Sequence, residues 1–450
     1  RIMQSNGGSI RTSEARRNGV RCIVSGPAGG VLGAFHVARM AATLRAGSDV
    51  NVIAFDMGGT STDVSLCKGA IQTTSEASLA GVPIRIPIID IHTVGAGGGS
   101  IAAVDQGGAL CVGPQSAGAD PGPACYGRSQ LPTVTDANVV LGRLPGKYFL
   151  GGQMTLDENR AQQALETMGQ HIGLSAVDAA RGVIEVVNTH MERALRVISV
   201  ERGYDPAQFT LVSFGGAGGL HAVELARRLG IATVLISPYA STLSAFGMLI
   251  ADIVKDYSLT VMLPGATPDN EFESRLAPLV ARGLQEVSEE GFAGAAANIT
   301  VERTLDMRYL GQSYELNVPF GPNFRADFHT AHHRAYGYSR SEAAIEIVTV
   351  RVKVIGRESP PVMLITPAAG ADPAGALLEY RAVMLDTETI IPFYRGENLH
   401  PGNIIPGPAI VIRSDTTILL DRGDRATVDG YLNLVIDVAP VLRTQKGEQA

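Results

Sequence analysis

Cysteine is scarce and scattered. The four thiols, Cys22, Cys67, Cys111 and Cys125, form no C-x-x-C pair. That excludes a zinc ribbon or a dithiol redox motif and fits reduced cysteines in a cytoplasmic protein. No run of about 18 apolar residues occurs, so no membrane-spanning helix is expected. The N-terminus lacks the hydrophobic region of a signal peptide. Charged residues are only 18% of the chain and the formal net charge is -7, the wrong sign for a general nucleic-acid binder. Tryptophan is absent. The chain opens at Arg1 rather than at a methionine, so the expectation is either a removed N-terminus or the later part of a longer protein.

What the sequence has instead is apolar residues and glycine. Its 450 residues are 45% hydrophobic and include 52 glycines. That length allows two or three domains with a substantial core, and the balance suggests a tightly packed α/β enzyme rather than a disordered or fibrous chain.

The stretch Asn51 to Leu66, NVIAFDMGGTSTDVSL, organises the rest. Val52 to Phe55 reads as a buried strand. It ends at Asp56, breaks into Gly58-Gly59, passes the hydroxyl row Thr60-Ser61-Thr62 and Asp63, and resumes as a strand through Val64 and Leu66. A P-loop or a Rossmann fingerprint places its glycines before a helix; here the loop sits in a hairpin. Two glycines let backbone N–H groups approach an anion, and three hydroxyls add donors. Asp56 and Asp63 repel phosphate unless a divalent cation such as Mg²⁺ lies between them. The alternative, an ordinary hairpin turn, seldom needs three hydroxyls and two carboxylates.

Other glycine-rich stretches follow the same logic. Val20 to Val24 reads as a short strand, followed by Ser25 as an N-cap and Gly26 to Gly30 at a helix start; this is either a second anion site or a crowded packing corner. Ile84 to Ile91 reads as a strand, with Pro87 marking an edge or a bulge. In His92 to Ser100 (HTVGAGGGS) the glycines, Gly97 and Gly98 among them, mark backbone lying against a ligand or another chain segment. The long turn-rich loop from Gly113 to Gly127 contains Asp120, Cys125 and Tyr126. Loops of that length in compact domains are usually functional, while Cys125 itself reads as a small buried hydrophobe.

Thr155 to Glu158 reads as a capping box for a helix running to about Gly169. Ala180, Ile184, Val187, Met191, Leu195 and Ile198 recur at helical spacing, with Gly203 as the terminator. Phe209 to Phe214 reads as a buried strand running into Gly215-Gly216-Ala217-Gly218-Gly219, then a helix from Leu220 to Leu229 with His221 in its first turn, then a strand from Ile231 to Ile236. This βαβ unit offers a second half for a nucleotide cleft. From about Asp256 the pattern changes, so the expected division is 1–255 and 256–450, the second part mostly β with a few helices. There His329 and His333 share a helical face, but no Glu follows the first His as a zinc protease requires. Residues 443–450 read as a loose tail.

Several segments together carry a family resemblance: MQSNGG at Met3, SGPAGG at Ser25, FDMGGTSTDV at Phe55, GAGGGSIA at Gly95, VGPQSAGADPGPACYG at Val112, PTVTDANVVLGRL at Pro132, VERGYDP at Val200, FGGAGGLHA at Phe214, YLGQSYEL at Tyr309 and PGPAIVIRSDTTILL at Pro406. The chain resembles the A-type subunits of the hydantoinase/oxoprolinase family over nearly its whole length. The resemblance implies an α/β actin/sugar-kinase/Hsp70-like nucleotide-binding domain, partial here because the family's first phosphate hairpin is absent from this chain, followed by a mostly β C-terminal domain. It implies ATP and Mg²⁺ as cofactors, with Asp56 as the metal residue. Gly58, Gly59, Thr60, Ser61 and Thr62 would hold phosphate oxygens. Gly215, Gly216, Ala217, Gly218 and Gly219, with His221, would form the adenosine loop, and Gly97 and Gly98 would join the cofactor site. Asp56, Asp63, His92 and Asp120 would be the catalytic set.

The activity implied is phosphorylation of a cyclic amide carbonyl for hydrolytic ring opening, completed on a B-type partner subunit in a hetero-oligomer. A ketone carboxylase subunit is the alternative within the enzyme class. A non-catalytic nucleotide-binding assembly subunit is the alternative outside it.

Overall fold

A computed structural model describes residues 1–44, 50–74, 77–79, 82–84, 86–292 and 298–440. The expected tail at 443–450 and part of the expected strand 84–91 lie outside the described residues. The chain divides into two compact units, neither continuous in sequence. One gathers Arg1–Ser25, Thr74–Ile88 and Ile250–Pro360; the other gathers Gly26–Thr73, Ile89–Leu249 and Pro361–Ala450. The second of these units resumes at Pro361 after the Ile250–Pro360 segment. The return has a physical cause. The strand Leu434–Asp437 hydrogen-bonds antiparallel to Thr233–Ile236, which ties the C-terminal segment into the sheet that carries Asp56.

That sheet has eight strands: β1 (Asn51–Met57), β2 (Thr62–Lys68), β3 (His92–Val94), β4 (Thr210–Phe214), β5 (Thr233–Ile236), β6 (Ile404–Pro406), β7 (Arg425–Val428) and β8 (Leu434–Asp437). They lie in the order β6-β7-β8-β5-β4-β1-β2-β3. β1, β4 and β5 run parallel, and the flanking pairs are antiparallel. Val52, Ile53, Ala54 and Phe55 of β1 are all buried, as a strand covered on both faces demands. Burial of each of the larger ones contributes on the order of 1.5–3 kcal/mol.

Besides the short helix Leu243–Leu249, the α-helices described in this unit are α1 (Ser25–Leu44), α2 (Val134–Val140), α3 (Glu158–Gln170), α4 (Ala176–Ile198) and α5 (Ala222–Leu229). α4 starts where Ser175 accepts from the Asp178 N–H and buries the expected stripe of Ala180, Ile184, Val187, Met191, Leu195 and Ile198. It ends at Ile198, earlier than Gly203, because a 3-10 turn over Val200–Arg202 intervenes and Gly203 closes that turn at φ +78°. The cap of α3 is Asp157, whose carboxylate accepts from the N–H groups of Asn159 and Arg160, rather than Thr155.

No strand forms at Val20–Val24. The segment holds the 3-10 turn Gly19–Cys22, and α1 begins at Ser25. Its glycines serve packing: a Cβ on Gly29 would stand 2.6 Å from the Ser244 carbonyl oxygen, and one on Gly33 would stand 2.5 Å from that of Leu243. Within Gly26 to Gly30 the junction is crowded at Gly29 and Gly30, while among the described residues no heavy atom lies within 4 Å of a Cβ placed on Gly26.

The other unit contains a six-stranded sheet built mainly from Ile253–Pro264, Ile345–Gly356 and Ile299–Tyr309. Helices Asp269–Val287 and Phe324–Tyr336 contribute Phe272, Leu276, Phe324 and Phe328 to its core, with Val350, Val352 and Val354 from the sheet. His329 pairs with the Tyr309 hydroxyl at 2.7 Å. Among the described residues no cluster of three or more His, Cys, Asp or Glu side chains could hold a metal ion. Nor is any described helix long and apolar enough to cross a membrane.

Candidate active site

β1 and β4 lie side by side in parallel register, with Phe214 opposite Asp56. Their carboxyl ends therefore release the hairpin turn and the glycine loop next to each other, the position where open α/β sheets bind ligands. The approach is tight. Gly215 has φ +79°, and a Cβ there would lie 2.4 Å from the Met57 carbonyl oxygen and 2.5 Å from Asp56 Oδ1. The Ala217 N–H donates to the Met57 carbonyl at 3.1 Å. Opposite Gly58 and Gly59 the space is open: among the described residues no heavy atom lies within 4 Å of where a Cβ would sit.

Asp56 pairs across the hairpin with Asp63, and Asp63 with Thr93 on β3. Directly opposed residues share a sheet face, so the two carboxylates lie together. Burial, reinforced by the Asp63 charge, pushes the Asp56 carboxyl up to about 7. Burial also raises Asp63, partly offset by the hydrogen bond from the Thr93 hydroxyl. Two carboxylates are too few for an all-protein metal cage. They suit Mg²⁺, which keeps several waters and binds through one or two carboxylates plus substrate phosphates.

The other expected residues separate into groups. Thr60 is exposed and Ser61 half-buried on the turn. Thr62 is fully buried and donates its hydroxyl to the Ala96 carbonyl at 2.6 Å. It braces the hairpin and does not offer its hydroxyl to phosphate. His92 lies opposite Val64, one position from Thr93. Alternation along β3 turns it to the other face, away from the carboxylate pair. Asp120 is exposed and ion-paired to Arg128 at 3.1 Å on the surface loop, so it does not join the set.

The Gly97 backbone packs on the hairpin turn itself: a Cβ there would stand 2.7 Å from the backbone of Gly59 and Thr60. Of the two uses a glycine row can have, contact with another chain segment is the one observed at Gly97. Gly98 lines the adjoining cavity, as do Gly216, Ala217 and His221. Gly218 and Gly219 instead pack against Ser213 and Thr417.

The cavity encloses about 190 Å³ and runs from Gly58 and Gly59 past Gly216 to α2, the segment 144–150 and the segment 413–417. Tyr126, Tyr148 and Phe149 contribute aromatic surface. Sequence reasoning singled out Tyr126 only as a loop residue and missed Asn138, Tyr148, Phe149 and Thr416. One signal was available: Val134, Thr135 and Asn138 sit at i, i+1 and i+4 of one short helix and share a face.

A hub holds this wall in place. Asp136, fully buried, accepts from the N–H groups of Ala124, Cys125 and Thr133 at 3.1, 2.8 and 2.8 Å, and from the Thr133 hydroxyl at 2.8 Å. It completes the capping box of α2, whose N-cap is Thr133, and pins the 124–126 turn to it in one stroke. Cys125 is buried in that turn, with its thiol pushed well above the ordinary range by burial and by the Asp136 charge. It is a packing residue.

Residues 1–257 match the model described as hydantoinase/oxoprolinase, and residues 269–435 match the hydantoinase/oxoprolinase C-terminal domain. The alpha subunit of caprolactamase from Pseudomonas jessenii is 38% identical over 454 residues, covering 95% of this chain and 63% of that protein. The crystal structure of the ATP-dependent caprolactamase from the same organism superimposes with a TM-score of 0.84 at 34% identity, covering 98% of this chain and 65% of that one. The nucleotide-free structure of an acetone carboxylase gives a TM-score of 0.78 at 28% identity, covering 98% and 64%. The chain thus spans less than two thirds of the length of each of these three. It belongs to the hydantoinase/oxoprolinase family.

Proposed function

We propose that this chain is part of the ATP-dependent subunit of an enzyme that phosphorylates a cyclic amide carbonyl so that water can open the ring. One observation carries the reading: the Asp56–Asp63 hairpin and the Gly215 loop meet at the carboxyl ends of two adjacent parallel strands and share one cavity. A hairpin for phosphates beside a glycine loop for the nucleoside is the arrangement expected of an actin/sugar-kinase-like nucleotide fold. The likeness to an ATP-dependent caprolactamase supports ATP as co-substrate and a lactam as substrate.

The chemistry is phosphoryl transfer, in which positioning and charge neutralisation do most of the catalysis. Transfer of the γ-phosphoryl to the amide oxygen makes the carbonyl carbon a better electrophile. That step releases ADP; water adds at the carbon, the ring nitrogen departs as an amine, and a second water hydrolyses the resulting acyl phosphate to a carboxylate and phosphate. A Mg²⁺ ion beside Asp56 would supply charge neutralisation. The open space beside Gly58 and Gly59 can receive phosphate oxygens; the Gly58 N–H is already donated to the Ser61 carbonyl at 3.1 Å, which leaves the Gly59 N–H as the donor, and Asp63 adds negative charge on the cation side. The name "subunit alpha" borne by the caprolactamase relative supports assembly with a second subunit, which we assign as B-type.

The likeness to an acetone carboxylase favours a second reading, activation of a ketone for carboxylation. The test is ATP hydrolysis by the purified native assembly in the presence of lactams and hydantoins. ADP released in step with ring-opened product, without added bicarbonate, is the expected result. Hydrolysis that needs a ketone and bicarbonate would replace this reading with the carboxylase one. Nucleotide binding with no turnover on either panel would leave a non-catalytic subunit.

A further inference from the structure

Two acceptors in the cavity wall lack partners. Asn138 on α2 donates its amide N–H to the Val134 carbonyl at 3.1 Å. That bond fixes its orientation, and its Oδ1 is buried with no hydrogen bond among the described residues. His221, 1% exposed at the start of α5, places Nδ1 2.7 Å from Asn188 Oδ1. That oxygen can only accept, so Nδ1 carries the proton and Nε2 presents a lone pair. Nε2 too is buried without a hydrogen bond among the described residues. Burial and the nearby Arg143 charge keep the ring neutral, with its pKa lowered to about 3.

Buried polar atoms are nearly always satisfied. Both residues line the cavity, so N–H or O–H donors of whatever fills it can supply the missing partners. The same cavity carries the faces of Tyr126, Tyr148 and Phe149, and at another point Gly58 and Gly59 of the hairpin. A flat ring and an anion can therefore occupy one continuous space.

We infer that Asn138 and His221 read the exocyclic amine of the nucleobase: an amino group on the base edge donates to Asn138 Oδ1 and His221 Nε2, and a base with a carbonyl in its place is rejected. This rests on the nucleotide reading of the site. The rejection follows from sign alone. A carbonyl set against two buried lone pairs gains no hydrogen bond and leaves all the acceptors unpaired, and sites built to hydrogen-bond a substrate group discriminate strongly against analogues that lack it.

The experiment compares Mg·ATP with Mg·ITP, which replaces the 6-amino group by a carbonyl, by calorimetric titration of the protein in its native assembly; GTP and CTP complete the set. The expected result is ITP and GTP binding weaker than ATP by at least about 100-fold. Asn138→Leu and His221→Leu should each shrink the ATP-to-ITP ratio by about tenfold. The wild-type comparison needs no variant, so misfolding of either cannot obscure it. CTP binding close to ATP supports an amine-reading wall that accepts either ring size. ITP binding within threefold of ATP overturns the inference while leaving the nucleotide site intact, and so does an ATP-to-ITP ratio unchanged in both variants. Absence of binding by all four nucleotides overturns the nucleotide reading and this inference together.

Discussion

Gly215 presses against Asp56: a β-carbon at residue 215 would lie 2.5 Å from the aspartate Oδ1, and the backbone there sits at φ +79°. Both conditions call for glycine, and they coincide where the two halves of the site touch. Gly215→Ala should therefore cost about 2 kcal/mol or more of stability and abolish Mg²⁺-dependent nucleotide binding. Gly216→Ala is the control. Its nearest neighbour, the Asp415 carbonyl oxygen, stands 3.6 Å from the added carbon, so stability should shift by less than about 0.5 kcal/mol. Denaturant unfolding of both variants checks this. Equal midpoints would show that the contact at Gly215 does not hold the loop to the hairpin.

Asp56 should impose a pH dependence of a definite sign. Its carboxyl titrates near 3.9 in an unfolded chain and is pushed up to about 7 in the fold by burial and by Asp63. Between those values the folded state binds the additional proton. Its stabilising contribution is complete below about pH 4 and is lost as pH rises through 7, up to about 4 kcal/mol at ~1.36 kcal/mol per pKa unit. Asp56→Asn removes that loss. The variant should be more stable than the parent at pH 8, nearly equal at pH 4, and inactive in Mg²⁺-dependent nucleotide turnover. Binding of Mg·nucleotide to the parent should strengthen about tenfold per pH unit up to about pH 7, because the cation must displace the proton, and then level off. Thermal unfolding at the two pH values decides the point: a variant less stable than the parent at pH 8 would mean that the Asp56 charge is already compensated within the fold.

The two predictions above rest on features that a linear reading reaches. The buried Val52–Phe55 run, the Gly58-Gly59 break and the second carboxylate are local in sequence, and so are the strand, glycine loop and helix around Gly215. What local pattern cannot supply is register and partner. His92 is excluded from the carboxylate pair by one position of strand alternation, visible only once β3 is paired to β2 with Asp63 against Thr93. Gly97 serves the hairpin turn rather than a ligand, which its composition alone leaves open. The cavity wall draws Thr416 and Thr417 from a segment some two hundred residues beyond the glycine loop, where Thr416 donates to the Gly216 carbonyl and Thr417 packs on Gly219; pairing of β8 with β5 likewise ties the C-terminal segment into the sheet that carries Asp56. No periodicity in either segment names the other.

Asp136 provides the last test, because it joins local and distant structure in one side chain. Its carboxylate accepts four hydrogen bonds with no exposure to solvent, completing the capping box of α2 and fixing the 124–126 turn that carries Tyr126 into the cavity. In Asp136→Asn an amide N–H₂ must replace one oxygen, so N–H groups that now meet an acceptor meet a donor. Hydrogen bonds to a charged group contribute ~1.5–3 kcal/mol each and an unsatisfied buried group carries a further penalty, so a loss of about 3 kcal/mol or more is expected. The local consequence is readable through Cys125. In the parent, Cys111 is exposed and Cys125 buried, so brief treatment with a thiol reagent should modify Cys111 and spare Cys125. In Asp136→Asn the turn loosens and Cys125 should become modified on the same timescale, with nucleotide affinity falling as Tyr126 leaves the cavity. Peptide mapping of the labelled cysteines separates this from general unfolding, since the buried Cys67, in β2, stays protected if only the turn is released. A variant with an unchanged unfolding midpoint and a protected Cys125 would show that the capping of α2 and the shape of the cavity wall do not depend on this carboxylate.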